Sequence, residues 1–200
     1  NKPVKPRKPT EPNAVTWTPP VGIPIPSFGI DEQPGPTTHY IDNTHPEATD
    51  TDNPNGTPDK PRLTIPRDFQ AGDVVEIHGG AYTPAADRFW IRGTGTPDRP
   101  IFIRDVGDPI LTRKAHPPGP YIVTAGLKLD GAGSDVRPTL GLQAHHIAIR
   151  HCEIAGHGTF KEGATVAVTS YDPEMPVHDI VLYDNHVHHN GQWDAPEEDD

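Results

Sequence analysis

Eight of the 12 histidines of this chain fall between His145 and His189. Histidine titrates near neutrality and is the commonest metal ligand, so this density is the first place to look for chemistry. Two segments of the region, 145–158 and 178–191, align without a gap at a spacing of 33 residues. On that alignment Glu153 lies over His186 and Ala155 over His188. Neighbouring strands are about 4.8 Å apart, so Glu153, His186 and His188 could form a mixed N/O metal site or an acid–base pair. The competing reading is that turn histidines bond backbone and solvent, since the fixed spacing of a helical His-Glu-x-x-His site is missing. The same alignment sets Arg150 over Tyr183, a cation beside an aromatic face of the kind sugars bind.

A third candidate lies far upstream. The run Asp50-Thr51-Asp52-Asn53-Pro54-Asn55-Gly56 brings the oxygen ligands of Asp50, Asp52, Asn53 and Asn55 ahead of a glycine, as a Ca²⁺ loop does. Pro54 occupies the fifth place and no Glu closes the loop at the twelfth. An Asx-rich turn explains the same residues. Asn55-Gly56-Thr57 is also a glycosylation sequon, which fits a surface position. The Gly-rich segments at 78–80 and 93–95 lack the Lys-Ser/Thr of a phosphate loop. Ser27, Ser134 and Ser170 have no nucleophile-elbow context, so a serine triad has no support.

The elements that must position these residues are strands. Apolar residues come in short clusters such as 74–77, 89–91, 101–103, 121–123, 147–149 and 180–182, each bounded by Gly, Pro, Asn or Asp. That pattern is the signature of short strands, and an all-β chain follows. In the aligned repeat, aliphatic residues coincide at 147/180, 149/182 and 154/187, and Pro100–Asp105 is a weaker earlier copy. A repeat of this length built from strands predicts a solenoid: coils of three short strands, each pairing in parallel with its equivalent in the next coil. The expected core is Ile65, Val75, Ile77, Ile101, Ile103, Ile147, Ile149, Ile154, Val166, Val168, Ile180, Leu182 and Val187. Ala148, Arg150 and Glu153 should face outward. Cys152 and Asn185 fall at a corner, where Cys152 is expected as a small buried residue and not a nucleophile.

Composition bounds the function. Of 200 residues, 26 are Pro and 19 Gly, and hydrophobic residues make up 32%, so the core must be small and aliphatic. A formal charge of −11 without a dominant basic patch argues against nucleic acid or an anionic membrane surface as partner. No apolar run approaches a membrane span, and the single cysteine excludes a disulfide framework. Fifteen prolines lie in residues 1–66. Residues 1–36 show neither strand nor helix period, which predicts an extended, polyproline-like arm carrying Trp17 and Phe28 as anchors. The Lys/Pro-rich opening has no apolar leader segment, so a leader is expected either to have been removed or never to have been present, and the acidic residues 194–200 read either as a tail or as a loop before further chain.

The segment 178–191, with its Ile-x-Leu-x-x-Asn-x-Val spacing and His, Asn and Gly turns, resembles the repeat of secreted right-handed parallel β-helix proteins, the pectate-lyase-like superfamily. Tyr40–Asn43, the loop 53–58 and Lys60-Pro61-Arg62-Leu63-Thr64-Ile65 are similar to the opening phrase of many such proteins. The resemblance spans about residues 38–191. It implies a right-handed parallel β-helix preceded by the Pro-rich arm 1–36, an opening cap at 37–66, and coils over 67–200. Complete members have more coils than fit here, so the helix is expected to be incomplete at its C-terminal side. Lyases of the superfamily use a Lys or Arg base, often with carboxylate-bound Ca²⁺. No position here matches such a motif; Arg150, Lys161 and Lys128 are candidates, and each also reads as a solvated charge.

Two functions follow as expectations. The first is a secreted, extracellular or cell-surface domain that binds a polysaccharide and, as an enzyme, cleaves or epimerises it, with Ca²⁺ as the cofactor such a site would take. The acidity of the chain favours a neutral glycan or a Ca²⁺-bridged uronate. The second is a structural subunit of an extracellular filament, sheath or coat, self-associating through its arm.

Overall fold

The computed structural model describes residues 28–29, 33–85, 88–107, 109–112, 114–134, 140–157, 165–170, 174 and 176–190. Among them are fourteen strands and no helix long and apolar enough to cross a membrane. The strands are β1 His39–Asp42, β2 Val74–His78, β3 Arg88–Trp90, β4 Ile101–Asp105, β5 Ile110–Thr112, β6 Lys114–His116, β7 Ile122–Ala125, β8 Lys128–Ser134, β9 Leu140–Leu142, β10 Ile147–Arg150, β11 Glu153–His157, β12 Val166–Val168, β13 Ile180–Tyr183 and β14 His186–Val187. They form three sheets with the orders β1-β2-β4-β7-β10-β13, β5-β8-β11-β14 and β3-β6-β9-β12. From β4 onward the chain visits the long sheet, the second and the third in strict rotation. Every strand pairing is parallel, which makes the fold an all-β solenoid.

Pairing in register stacks like on like. Ile101, Ile122, Ile147 and Ile180 form one column on the long sheet, at intervals of 21, 25 and 33 residues. Leu111, Leu129, Ile154 and Val187 form another on the second sheet. Apart from Val187, these columns fill a single interior core with Ile41, Val75, Ile77, Phe89, Leu140 and Leu142. A fully buried Ile or Leu contributes about 1.5–3 kcal/mol, so each added coil stabilises the one before it.

The corners beside the long sheet repeat a backbone device. Tyr121, His146 and Asp179, each one residue ahead of its strand, have φ of 55°, 52° and 51°. Gly126, His151 and Asp184, each one residue after it, have φ of 77°, 55° and 48°. A single left-handed residue turns the chain sharply, and His and Asp tolerate that region better than most side chains. Next to it, Asn185 Oδ1 accepts from the Cys152 amide at 2.9 Å while its Nδ2 donates to the Ile149 carbonyl at 2.7 Å. Cys152 is the buried corner residue expected, and burial raises its thiol pKa to about 12.

The outer face of the long sheet departs from expectation. Val74, Phe102, Val123 and Ala148 point outward and are nevertheless buried, with Phe28 packed over them. Gly29 follows with φ 96°, and a Cβ there would stand 2.5 Å from that of Ala148. Only glycine lets the chain lie this close. Arg150, read as a solvated charge, is 8% exposed beneath this cover, and its Nη1 donates to the Gly29 carbonyl at 3.3 Å. The described piece of the arm therefore packs on its own domain. The remaining arm through residue 27, with Trp17, lies outside the described residues, as do Lys161 and the acidic residues 194–200.

The core expectation fails at three places. Val168, Leu182 and Val187 point inward but are 50% exposed. They sit on β12, β13 and β14, the last strands of the three sheets, and among the described residues no further coil covers them.

Candidate functional site

A cleft of about 630 Å³ lies between the opening cap and β3. Its walls come from three stretches: 62–68, 82–85 and 88–90. In Arg88-Phe89-Trp90-Ile91-Arg92, Phe89 and Ile91 point into the core at 8% and 3% exposure. Strand alternation then sends Arg88, Trp90 and Arg92 out on one face. The guanidinium carbons of Arg88 and Arg92 each lie 5.0 Å from the Trp90 ring centroid. A cation at that distance is held by the ring quadrupole, so the indole fixes the direction in which both forks point. His116, beside Trp90 in the next coil, meets the indole edge-on at 4.8 Å and bonds Gln143 Oε1 through Nε2 at 2.9 Å.

The other walls are equally fixed. Asp68 and Arg92 form a parallel bridge, with the Phe69 amide donating to the Arg92 carbonyl at 2.8 Å and the Arg92 amide to the Arg67 carbonyl at 2.7 Å. Arg67 and Asp68 are thereby held at the cleft rim, both exposed. Tyr82 closes the floor. It is 5% exposed, its hydroxyl donates to the His78 carbonyl, and the Asn43 amide donates to it at 2.9 Å. Burial pushes the Tyr82 pKa up to about 12, so it remains a neutral phenol. Thr83 and Thr112 exchange a hydroxyl bond of 2.8 Å nearby. Arg62 also lines the cleft, yet its donors go to Asp50 at 3.1 Å, the Asn53 and Pro54 carbonyls and the Thr64 carbonyl. The cleft thus combines an aromatic ring, a guanidinium, hydroxyls and one carboxylate, groups that can hold a planar anionic ligand.

The sites expected from the sequence are distributed differently. Glu153 pairs with His186 in register, and its Oε1 stands 3.0 Å from His188 Nε2. The rings of His186 and His188 stack at 4.1 Å, so the three predicted residues do meet. Arg150 is opposite Tyr183, as aligned, but the pair is split: Arg150 is buried under Gly29 while Tyr183 is 40% exposed, with His151 edge-on to it at 5.5 Å. In the upstream loop, Asp50 accepts from the Leu63 and Thr64 amides at 3.1 and 3.2 Å and from Thr64 Oγ1 at 2.7 Å. Asn53 Nδ2 donates to the carbonyls of Thr49, Lys60 and Pro61, and its Oδ1 accepts from the Gly56 amide. The Asn55 carbonyl accepts from the Tyr40 amide at 2.9 Å, and Asp52 is an exposed left-handed turn residue with φ 52°. Asp50 and Asn53 thus staple the cap together.

The cleft itself was missed because its parts lie far apart in sequence and no repeat marks them. The legible signal was the alternation at 88–92, which puts two arginines and a tryptophan on one side of a strand. No family model, no curated protein and no solved structure matches this chain.

Proposed function

We propose that the chain is a right-handed parallel β-helix domain that binds an acidic polysaccharide, a uronate, in the cleft at Trp90. The observation that carries this reading is Trp90, which lines the 630 Å³ cleft with Arg88 and has the guanidinium carbons of Arg88 and Arg92 each 5.0 Å from its ring centroid. The chain is acidic overall, so long-range attraction for a polyanion is weak and recognition must be local. Planar guanidiniums supply that locally, because each can take a carboxylate through two parallel bonds. Ca²⁺ bridging uronate to the acidic surface, and lyase or epimerase chemistry on the bound sugar, belong to the same reading.

The test is calorimetric titration with oligouronates and with neutral oligosaccharides, each with and without Ca²⁺. Uronate binding is expected, weakened at least tenfold in Trp90→Ala and in Arg88→Gln. Absorbance of unsaturated uronate appearing during incubation would identify a lyase. Absence of uronate binding even with Ca²⁺, or equal binding by both variants, defeats the reading.

The alternative is a subunit of an extracellular filament, sheath or coat. Half-exposed Val168, Leu182 and Val187 favour it, since they offer an apolar end for stacking. Phe28, packed on its own sheet, is not available as an anchor for a neighbour.

A further inference from the structure

One corner of the solenoid, away from the cleft, gathers three imidazole rings and one carboxylate. His145 and His146 precede β10, and His178 and Asp179 precede β13 one coil later. Parallel register brings the two pairs face to face. Asp179 Oδ2 lies 2.8 Å from His178 Nδ1 and 3.4 Å from His146 Nε2. One ligand atom from each of His146, His178 and Asp179 falls within 4.8 Å of the other two. His145 stacks flat on His178 at 4.9 Å, and its Nδ1 is 2.8 Å from His146 Nδ1. On the other side Tyr121 stacks on His146 at 4.5 Å and Phe28 meets it edge-on at 5.7 Å.

Backbone geometry explains only half of this set. His146 and Asp179 occupy the left-handed corner position, where their residue types are favoured. His145 and His178 have ordinary negative φ, so nothing in the turn requires histidine there.

We propose that His146 Nε2, His178 Nδ1 and an oxygen of Asp179 bind one borderline divalent cation, of which Zn²⁺ is the type. Donors held at about 2.0–2.1 Å by a tetrahedral Zn²⁺ lie about 3.3 Å from one another. The His146–Asp179 distance of 3.4 Å already has this value, and the His178–Asp179 contact must open by about half an ångström. Coordination through Nε2 requires His146 to keep its proton on Nδ1, where it donates to His145 Nδ1. His145 is then a positioning residue that sets the tautomer, the role outer partners of ligating histidines commonly play. Two imidazoles and a carboxylate select Zn²⁺, Co²⁺, Ni²⁺ or Cu²⁺ over Ca²⁺, which takes oxygen ligands. The fourth position faces solvent, since His178 and Asp179 are 48% and 39% exposed. Bound metal would clamp the last two coils together.

The experiment is a Co²⁺ titration of the full chain, followed by its visible d–d absorption and displacement by Zn²⁺. Expected are one Co²⁺ per chain with four-coordinate absorption and a higher melting temperature in Zn²⁺. His178→Gln and Asp179→Asn, the latter keeping a side chain that tolerates the left-handed corner, should each weaken binding at least tenfold and abolish the thermal shift. His188→Gln, which changes the separate Glu153–His188 contact, should leave both readouts intact. Circular dichroism of the metal-free variants checks that they remain folded. No Co²⁺ absorption in the parent chain, undiminished absorption in both His178→Gln and Asp179→Asn, or its loss in His188→Gln would each overturn the proposal.

Discussion

The two ends of the solenoid stop their sheets in opposite ways. At the N-terminal end each sheet's outer edge is met by a single bridging residue: Arg62 against Ile41, Tyr82 against Leu111 and Asp68 against Arg92. Backbone bonds follow at all three, and the inward residues there, Ile41, Phe69 and Tyr82, are 0%, 3% and 5% exposed. At the other end β12, β13 and β14 present their outer edges with no further strand among the described residues. Their inward residues Val168, Leu182 and Val187 are half-exposed. An uncovered sheet edge is a template for another strand, whereas a bridged edge is not. The capped end is also where the Trp90 cleft lies, because capping required loops, and loops standing off a regular sheet leave a groove. The same contrast bears on filament formation. Head-to-tail stacking needs two complementary open ends, and among the described residues the capped end is closed.

The sharpest way to break the comparison is to empty one inward position at each end of the long sheet. Ile41→Ala at the capped end should cost about 2–5 kcal/mol in urea unfolding, as for other fully buried aliphatics. Next comes the cap's staple. Asp50→Ala removes the exposed bonds from the Leu63 and Thr64 amides and one partner of Arg62, for about 0.5–1.5 kcal/mol. A loss near zero would mean that the loop does not hold the cap.

Acid should also weaken the capped end first. Burial lowers the His39 pKa, with Asp73 opposing and Arg62 adding to the effect. For Asp42 and Glu76 burial works against ionisation, but bonds from Thr44 in the first case, and from Thr37, His78 and Arg104 in the second, outweigh it and hold both below the usual range. All three groups bind protons more readily in the unfolded chain. Their contribution is therefore complete above pH 6.5, the ordinary value for His39, and is lost as pH falls, first through the histidine range and then below the ordinary 4.5 of Glu76. Urea midpoints measured across this window should fall monotonically toward acid, with the lower part of the slope reduced in Glu76→Gln. A midpoint that rises on acidification contradicts the sign.

The smallest effect is expected at the open end. Leu182→Ala, half-exposed, should cost about 1 kcal/mol, half or less of the ~1.5–3 kcal/mol of complete burial. If it costs as much as Ile41→Ala, another surface covers that end in solution, and light scattering would then show whether it is a second copy.

Much of the solenoid was legible in particular residues. The gapless alignment placed Ile147 on Ile180, Ile149 on Leu182, Arg150 on Tyr183 and Glu153 on His186, and the observed register is the same at each. It could do so because a parallel coil stacks a residue on its own repeat, turning sequence periodicity directly into neighbours. Earlier coils were harder to see because corner insertions change the interval from 33 to 25 and 21 residues while the columns stay aligned.

What sequence alone determined, then, is local and periodic: strand positions and the inward and outward sides of each. Exposure was decided only by tertiary structure. Arg150 faces outward by alternation and is buried because Phe28 and Gly29, over a hundred residues earlier, lie across it. Leu182 faces inward by the same rule and is exposed because no coil follows it among the described residues. The cleft and the His146–His178–Asp179 corner have the same origin. Their side chains meet only after the chain has closed a coil, and that closure depends on corner lengths that strand periodicity does not encode.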